Sequence, residues 1–141
     1  MSEPNPTQGI RFHCKYEADC GGCNLTHLPY VEQLAMKQAL VARLLKPIGR
    51  VEPIRGMADP FYYRNKVHAV FAQDRCGQLI SGVYRQGTHR VVTVEQCLIE
   101  DRRAQAIIAT VRELARAFHY PPFDEDRGTG FLRHALVRAA K

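Results

Sequence analysis

Cys14, Cys20, Cys23 and Cys97 are the side chains in this sequence best suited to inorganic chemistry. Three lie in one short run, Cys14-Lys-Tyr-Glu-Ala-Asp-Cys20-Gly-Gly-Cys23. The fourth stands alone in Val94-Glu95-Gln96-Cys97-Leu98. Three local thiolates with one distant thiolate can hold a [4Fe–4S] cluster. Gly21 and Gly22 would let the backbone turn tightly around a bulky inorganic core. Cys97 would then tie a later part of the fold to the loop.

Other readings of the same thiols stay open on spacing alone. A zinc site more often pairs two C-x2-C knuckles, and only one is present, although His13 and His27 flank it and could replace a thiolate. A disulfide framework fits less well, because the cysteines number five. The chain also opens with the polar run Met1-Ser-Glu-Pro-Asn-Pro-Thr-Gln8 rather than an apolar signal segment. That run implies a reducing, cytoplasmic setting. Unligated or redox-active thiols are the third rival.

The elements that must position these residues can be read from the apolar pattern. A length of 141 residues with 45% hydrophobic side chains suits one ordinary packed domain. No apolar run approaches a membrane span. Residues 1–10 read as a flexible leader and residues 11–28 as the cysteine loop. Residues 29–141 read as a central α+β domain. Pro29 suits a first helical turn, and Leu34, Val41, Leu44 and Leu45 share a face. These predict a helix over 29–46, stopped by Pro47 and Gly49, that packs against a sheet. Alternation in Asn65-Lys-Val-His-Ala-Val-Phe71 predicts a strand, Asp74-Arg-Cys-Gly77 a hairpin turn, and Leu79 to Tyr84 the returning strand. Arg90 to Val94 would be a third strand, 99–119 a second amphipathic helix, and Gly130 to Arg138 a last strand. The fold expected is therefore an antiparallel-rich sheet with two flanking helices and an N-terminal cysteine loop.

The formal net charge of +6 sits in the middle and at the end of the chain and favours a polyanionic partner. Between Tyr62 and Arg90, basic side chains alternate with rings: Tyr62, Tyr63, Arg64, Lys66, His68, Tyr84, Arg85, His89 and Arg90. On one sheet face they would make an RNA platform, cations on phosphates and rings under splayed bases. The plainer reading is a solvated face with core tyrosines. Cys76, at a turn, has no base or orienting acid near it in sequence and reads as incidental rather than as a nucleophile. His134 could contact RNA or simply be hydrogen-bonded within a strand. There is no G-x-G-x-x-G, no phosphate loop and no long βαβ series, so no nucleotide-binding sheet is expected.

Taken together, these segments resemble the iron–sulfur RNA (uracil-5-)-methyltransferases, which act on 23S ribosomal RNA and, in sister groups, on tRNA. The likeness is carried by Cys14-x5-Cys20-Gly-Gly-Cys23, Tyr30-Val-Glu-Gln33-Leu-Ala-Met-Lys37 and Tyr63-Arg64-Asn65-Lys66-Val67. It continues in Gly82-Val-Tyr84-Arg-Gln-Gly87-Thr-His89, Val94-Glu-Gln-Cys97 and Gly130-Phe-Leu-Arg133-His134-Ala-Leu-Val-Arg138.

The resemblance implies a [4Fe–4S] cluster on Cys14, Cys20, Cys23 and Cys97. It implies RNA contacts from Arg64, Lys66, Arg85, His89, Arg90, Arg133 and His134, with ribosomal RNA the first choice of partner. In that family S-adenosylmethionine methylates C5 of a flipped uridine, after a cysteine thiolate adds to C6 and before a carboxylate removes the C5 proton. Those residues and the cofactor site belong to a C-terminal Rossmann-like domain, for which this chain offers no match. No catalytic residue is therefore assigned. The expectation is the cluster loop and central domain of such an enzyme, not active alone, with a separate catalytic domain as a candidate partner. The alternatives are a free-standing iron–sulfur or zinc RNA-binding module and, further off, a small electron carrier.

Overall fold

The computed structural model describes residues 9–140, so most of the 1–10 leader, and Lys141, lie outside the described residues. The described chain forms two compact units. One comprises residues 9–14 and 23–60, and the other residues 15–22 and 61–140.

The first unit is built on α1, Tyr30–Leu45. Pro29 precedes it, Glu32 sits in its first turn and Arg43 in its last, an arrangement that complements the helix dipole. Its inward side chains are Tyr30 and Gln33. The Tyr30 ring meets Phe12 edge-on at 6.4 Å, and its hydroxyl accepts from the Met57 N–H at 2.9 Å. Gln33 donates to the Leu28 carbonyl at 3.0 Å. Gln38 donates to the Glu52 carbonyl and accepts from the Ile54 N–H, which fixes the 51–57 segment to the helix. Of the apolar stripe predicted to pack on a sheet, Val41, Leu44 and Leu45 are instead exposed and only Leu34 is half-buried. The burial here comes from Tyr30 and Gln33, one turn nearer the N-terminus than the stripe predicts.

The second unit holds the sheet. Its strands are β1 (Lys66–Gln73), β2 (Leu79–Tyr84), β3 (Val91–Thr93) and β4 (His134–Arg138), in the order β3-β2-β1-β4 with every pairing antiparallel. The helix α2, Arg102–Ala117, packs over β1, β2 and β4. Val67, Ala69 and Phe71 point to that helix, as the alternation predicts. They join Leu79, Ala104, Ile108 and Ala115 in the core, with Val111, Leu132, Ala135 and Val137 at its edge. The C-terminal half of α2 adds two polar ties to the sheet: Arg112 Nη1 donates to Ser81 Oγ at 2.9 Å, and Arg116 Nε to the Leu79 carbonyl at 2.9 Å.

Three boundaries move for identifiable reasons. α2 starts at Arg102 rather than 99, because Ile99 and Asp101 are claimed by Arg64. The Arg64 N–H donates to the Ile99 carbonyl at 2.7 Å, and the Asp101 N–H donates back to Arg64 at 2.9 Å. Asp101 then caps the helix through the Arg103 N–H at 2.8 Å, and Arg103 holds its carboxyl at about 2. β4 starts at His134 rather than 130, because Phe131 and Leu132 bond to Pro121 and Phe123 instead. β1 runs on to Gln73, paired with Leu79, because the turn is tight. Asp74 Oδ1 accepts from Cys76 and Gln78 at 2.8 Å, and Gly77 takes φ 77.

Candidate functional site

The middle of the cysteine loop, residues 15–22, belongs to the sheet's unit. Residues 15–22 are held by the Asp19 and Cys20 N–H groups, which donate to the Tyr16 carbonyl, and by a bridge between Cys20 and Arg85. The Arg85 guanidinium meets the Asp19 carboxylate at 3.1 Å. At Gly21 a β-carbon would lie 3.2 Å from the Gln86 backbone and side chain, so glycine lets the loop lie against the β2–β3 turn. The Gly22 N–H donates to Cys20 Sγ at 3.4 Å, the type of bond that stabilises a thiolate ligand. Arg64 reaches the Gly22 carbonyl at 3.4 Å.

Cys97 sits on a second anchor close in sequence to the first. The Glu95 N–H donates to the Tyr16 hydroxyl at 3.0 Å, and Lys15 pairs with Glu95 at 3.7 Å. Gln105 clasps Cys97 from α2. Its carbonyl oxygen accepts from the Cys97 N–H at 3.0 Å, and its amide donates to the Cys97 and Glu100 carbonyls at 2.8 Å. The Glu100 carboxyl is pushed up by burial, with Arg64 opposing.

The four candidate ligands are half-buried thiols, whereas Cys76 is exposed at its turn. Their donor chemistry fits an iron–sulfur cluster. Cys20 and Cys97 fall in the sheet's unit, and Cys14 and Cys23 in the other. Among the described residues, no group of three or more His, Cys, Asp or Glu side chains is close enough to hold a metal ion.

The basic residues separate into two groups. On the sheet face away from α2, the register pairs Lys66 with Arg138, His68 with Leu136, and Val70 with His134. Lys66, His68, His134, Leu136 and Arg138 are all exposed there. The His68 and His134 rings lie 4.7 Å apart. Tyr84 shares this face on β2, with its ring 5.8 Å from His89 and its hydroxyl donating to Glu125 at 3.2 Å. Arg133 pairs with Glu125 at 2.9 Å and holds that carboxyl below the usual range.

Arg85, His89 and Arg90 lie at the β2–β3 end, where with Arg75 and Asp19 they rim a groove of about 660 Å³ floored by Ala72, Ile80 and Val91. Arg64, half-buried beside Glu100, serves the loop rather than this face. The RNA contacts implied by the resemblance leave out His68, which the basic segment includes, and Arg138. The alternation Lys66–Val67–His68 signalled the first. Only the non-local pairing with β4 reveals the second.

No family model matches the chain. It is 36% identical over 146 residues to an RNA methyltransferase of Halalkalibacterium halodurans, an alignment that takes in 100% of this chain and 31% of the relative. It is 37% identical over 134 residues to an RNA methyltransferase of Clostridium acetobutylicum, with 90% of this chain and 29% of the relative covered. By sequence, the chain is similar to one part of these RNA methyltransferases. It spans about three tenths of the length of the curated relatives it matches. Among its described residues, no helix is long and apolar enough to cross a membrane.

Proposed function

We propose that this chain is the iron–sulfur and RNA-binding portion of an S-adenosylmethionine-dependent RNA uracil-C5 methyltransferase, with ribosomal RNA as the partner. One observation carries the reading. In a chain matching RNA methyltransferases, one sheet face is filled by α2 while the other presents Lys66, His68, His134 and Arg138 to solvent. Cations spaced along a strand pair, with rings beside them, suit a backbone of phosphates carrying unstacked bases.

Cys14, Cys20, Cys23 and Cys97 would hold a [4Fe–4S] cluster. Support comes from their spacing, the N–H donated to Cys20 Sγ, and the ties from residues 15–22 to Glu95 and Arg85. The cluster's contribution would be structural, a covalent pin on the loop, because methyl transfer needs no electron transfer. The chain's own residues would bind and orient RNA for a catalytic machinery of thiolate, carboxylate and S-adenosylmethionine that none of these residues supplies.

Two measurements test the reading. Protein reconstituted without oxygen should bind about four irons and four sulfides per chain. Stoichiometric zinc with no iron uptake would overturn the cluster assignment. Separately, changing Lys66 and Arg138 together to Ala should weaken binding of labelled ribosomal RNA fragments by about tenfold or more, and flatten its dependence on salt by up to about two counterions. An affinity and salt slope equal to the parent's would remove the RNA interface.

A further inference from the structure

We infer that His68 and His134 form a proton-linked phosphate clamp on the β1–β4 face, closing on one phosphodiester of single-stranded RNA beside the paired cations Lys66 and Arg138. The inference rests on the RNA reading above and goes beyond it. It names a site, a ligand group and a protonation state.

The geometry comes first. His68 on β1 and His134 on β4 are diagonal neighbours on one sheet face, and their rings approach to 4.7 Å at an interplanar angle of 56°. Lys66 and Arg138 are directly paired at the outer end of the same face. All four side chains are exposed, and the pairing holds them at strand spacing rather than on mobile loops. Two imidazoles this close cannot both charge cheaply without an anion, since like charges a few ångströms apart repel. A phosphodiester is that anion. It offers unesterified oxygens to two N–H donors at once, and it needs them cationic. Tyr84 on the same face offers a ring on which the attached base could stack.

The charges around the pair agree. His134 is lowered from its ordinary value by partial burial, then by His68 and Arg133, with Glu125 acting against them. The groups facing the pair are Lys66 on β1, Arg133 just before β4, Arg138 on β4, Tyr84 on β2 and Glu125 in the 124–129 turn. His89 lies beyond Tyr84. With the site empty, His134 is therefore largely neutral near neutral pH. A bound phosphate raises the His134 imidazole, so binding takes up a proton. Affinity then rises as pH falls through the bound-state value and levels off above it.

The test is binding of a short labelled single-stranded oligoribonucleotide to the chain from about pH 6 to about pH 8. The parent should bind about tenfold more tightly at the acid end, the effect of roughly one proton taken up across one pH unit. His68→Asn with His134→Asn keeps side chains that hydrogen-bond but cannot charge. That variant should bind as the parent does at about pH 8 and lose the gain at about pH 6. His89→Asn should leave the gain in place. Lys66→Gln with Arg138→Gln should weaken binding equally at both ends. The His134 Cε1–H resonance should titrate at higher pH when the oligonucleotide is present.

A flat parent profile, or a gain that survives the double asparagine variant, overturns the clamp while leaving the RNA interface intact. No RNA binding at any pH removes the interface and the clamp with it. A gain that follows His89→Asn would move the proton to the β2–β3 end and also overturn the clamp.

Discussion

Gly82→Ala is expected to unfold the sheet, lowering stability by about 3 kcal/mol or more and shifting the melting midpoint down by several degrees or abolishing the transition. Gly82 lies in β2, opposite Val70 on β1 and Thr93 on β3. A β-carbon there would stand 1.8 Å from the Val92 carbonyl oxygen and 3.0 Å from the Val94 nitrogen. Both are backbone atoms, so no rotamer change relieves the clash. Either β3 leaves the sheet or β2 shifts against β1, where Phe71, Ser81 and Leu79 are all buried. A domain of this size has only about 5–15 kcal/mol to lose. Gly87→Ala is the matched control. It stands at φ 70 with nothing near its missing β-carbon, so it should cost only about 1 kcal/mol. Thermal denaturation followed by circular dichroism distinguishes the two. A Gly82→Ala melt equal to the parent's would mean that β3 is not packed as described.

Gln105→Leu is expected to cost the cluster-free protein about 2–3 kcal/mol, because the Cys97 N–H and two carbonyls lose their partner at once. Cys97→Ser in the same cluster-free protein should cost less than Gln105→Leu, since it leaves the three hydrogen bonds of the backbone clasp in place. Once iron is supplied, the order reverses: Cys97→Ser should fail to retain the cluster, while Gln105→Leu should retain it weakly. Chemical denaturation before and after reconstitution, with iron counted per chain, reads both effects. If Cys97→Ser keeps a full complement of iron, the fourth ligand lies elsewhere.

Much of this arrangement could be read from sequence because its causes are local. The alternation from Lys66 to Phe71 reports the burial of one face, and Asp74 to Gly77 carries the chemistry of its own turn. In α2, by contrast, the helical spacing of Ile107, Val111, Leu114 and Phe118 marks a different stripe from the buried one, Ala104, Ile108 and Ala115. What sequence hid is non-local. Ile99 and Glu100 look as helical as the residues after them, and only pairing with Arg64 keeps them extended. Phe131 and Leu132 look like the start of β4, yet the strand of hydrogen bonds they join belongs to Pro121 and Phe123. The apolar positions of α1 pointed to a sheet, whereas Tyr30, Gln33 and Gln38 tie it to residues 9–14 and 51–57. For the site, spacing singled out the thiols by type, and charge singled out the basic segment. It could not show that Arg64 and Arg85 are occupied by the cysteine loop, or that Arg138 stands beside Lys66.

The β1–β4 pairing also sets an order of events during synthesis. β1, β2 and β3 follow one another closely and can zip together as a meander soon after they leave the ribosome. The other side of β1 must wait while residues 74–133 are made, because its partner is 134–138. Until then the nascent chain carries a central strand with an open row of backbone donors and acceptors, and α2 can cover Val67, Ala69 and Phe71 only in part, without Ala135 and Val137. Such an edge invites pairing with another chain. The interval between β1 and β4 is therefore the period in which this protein is most exposed to self-association and most dependent on being shielded by chaperones.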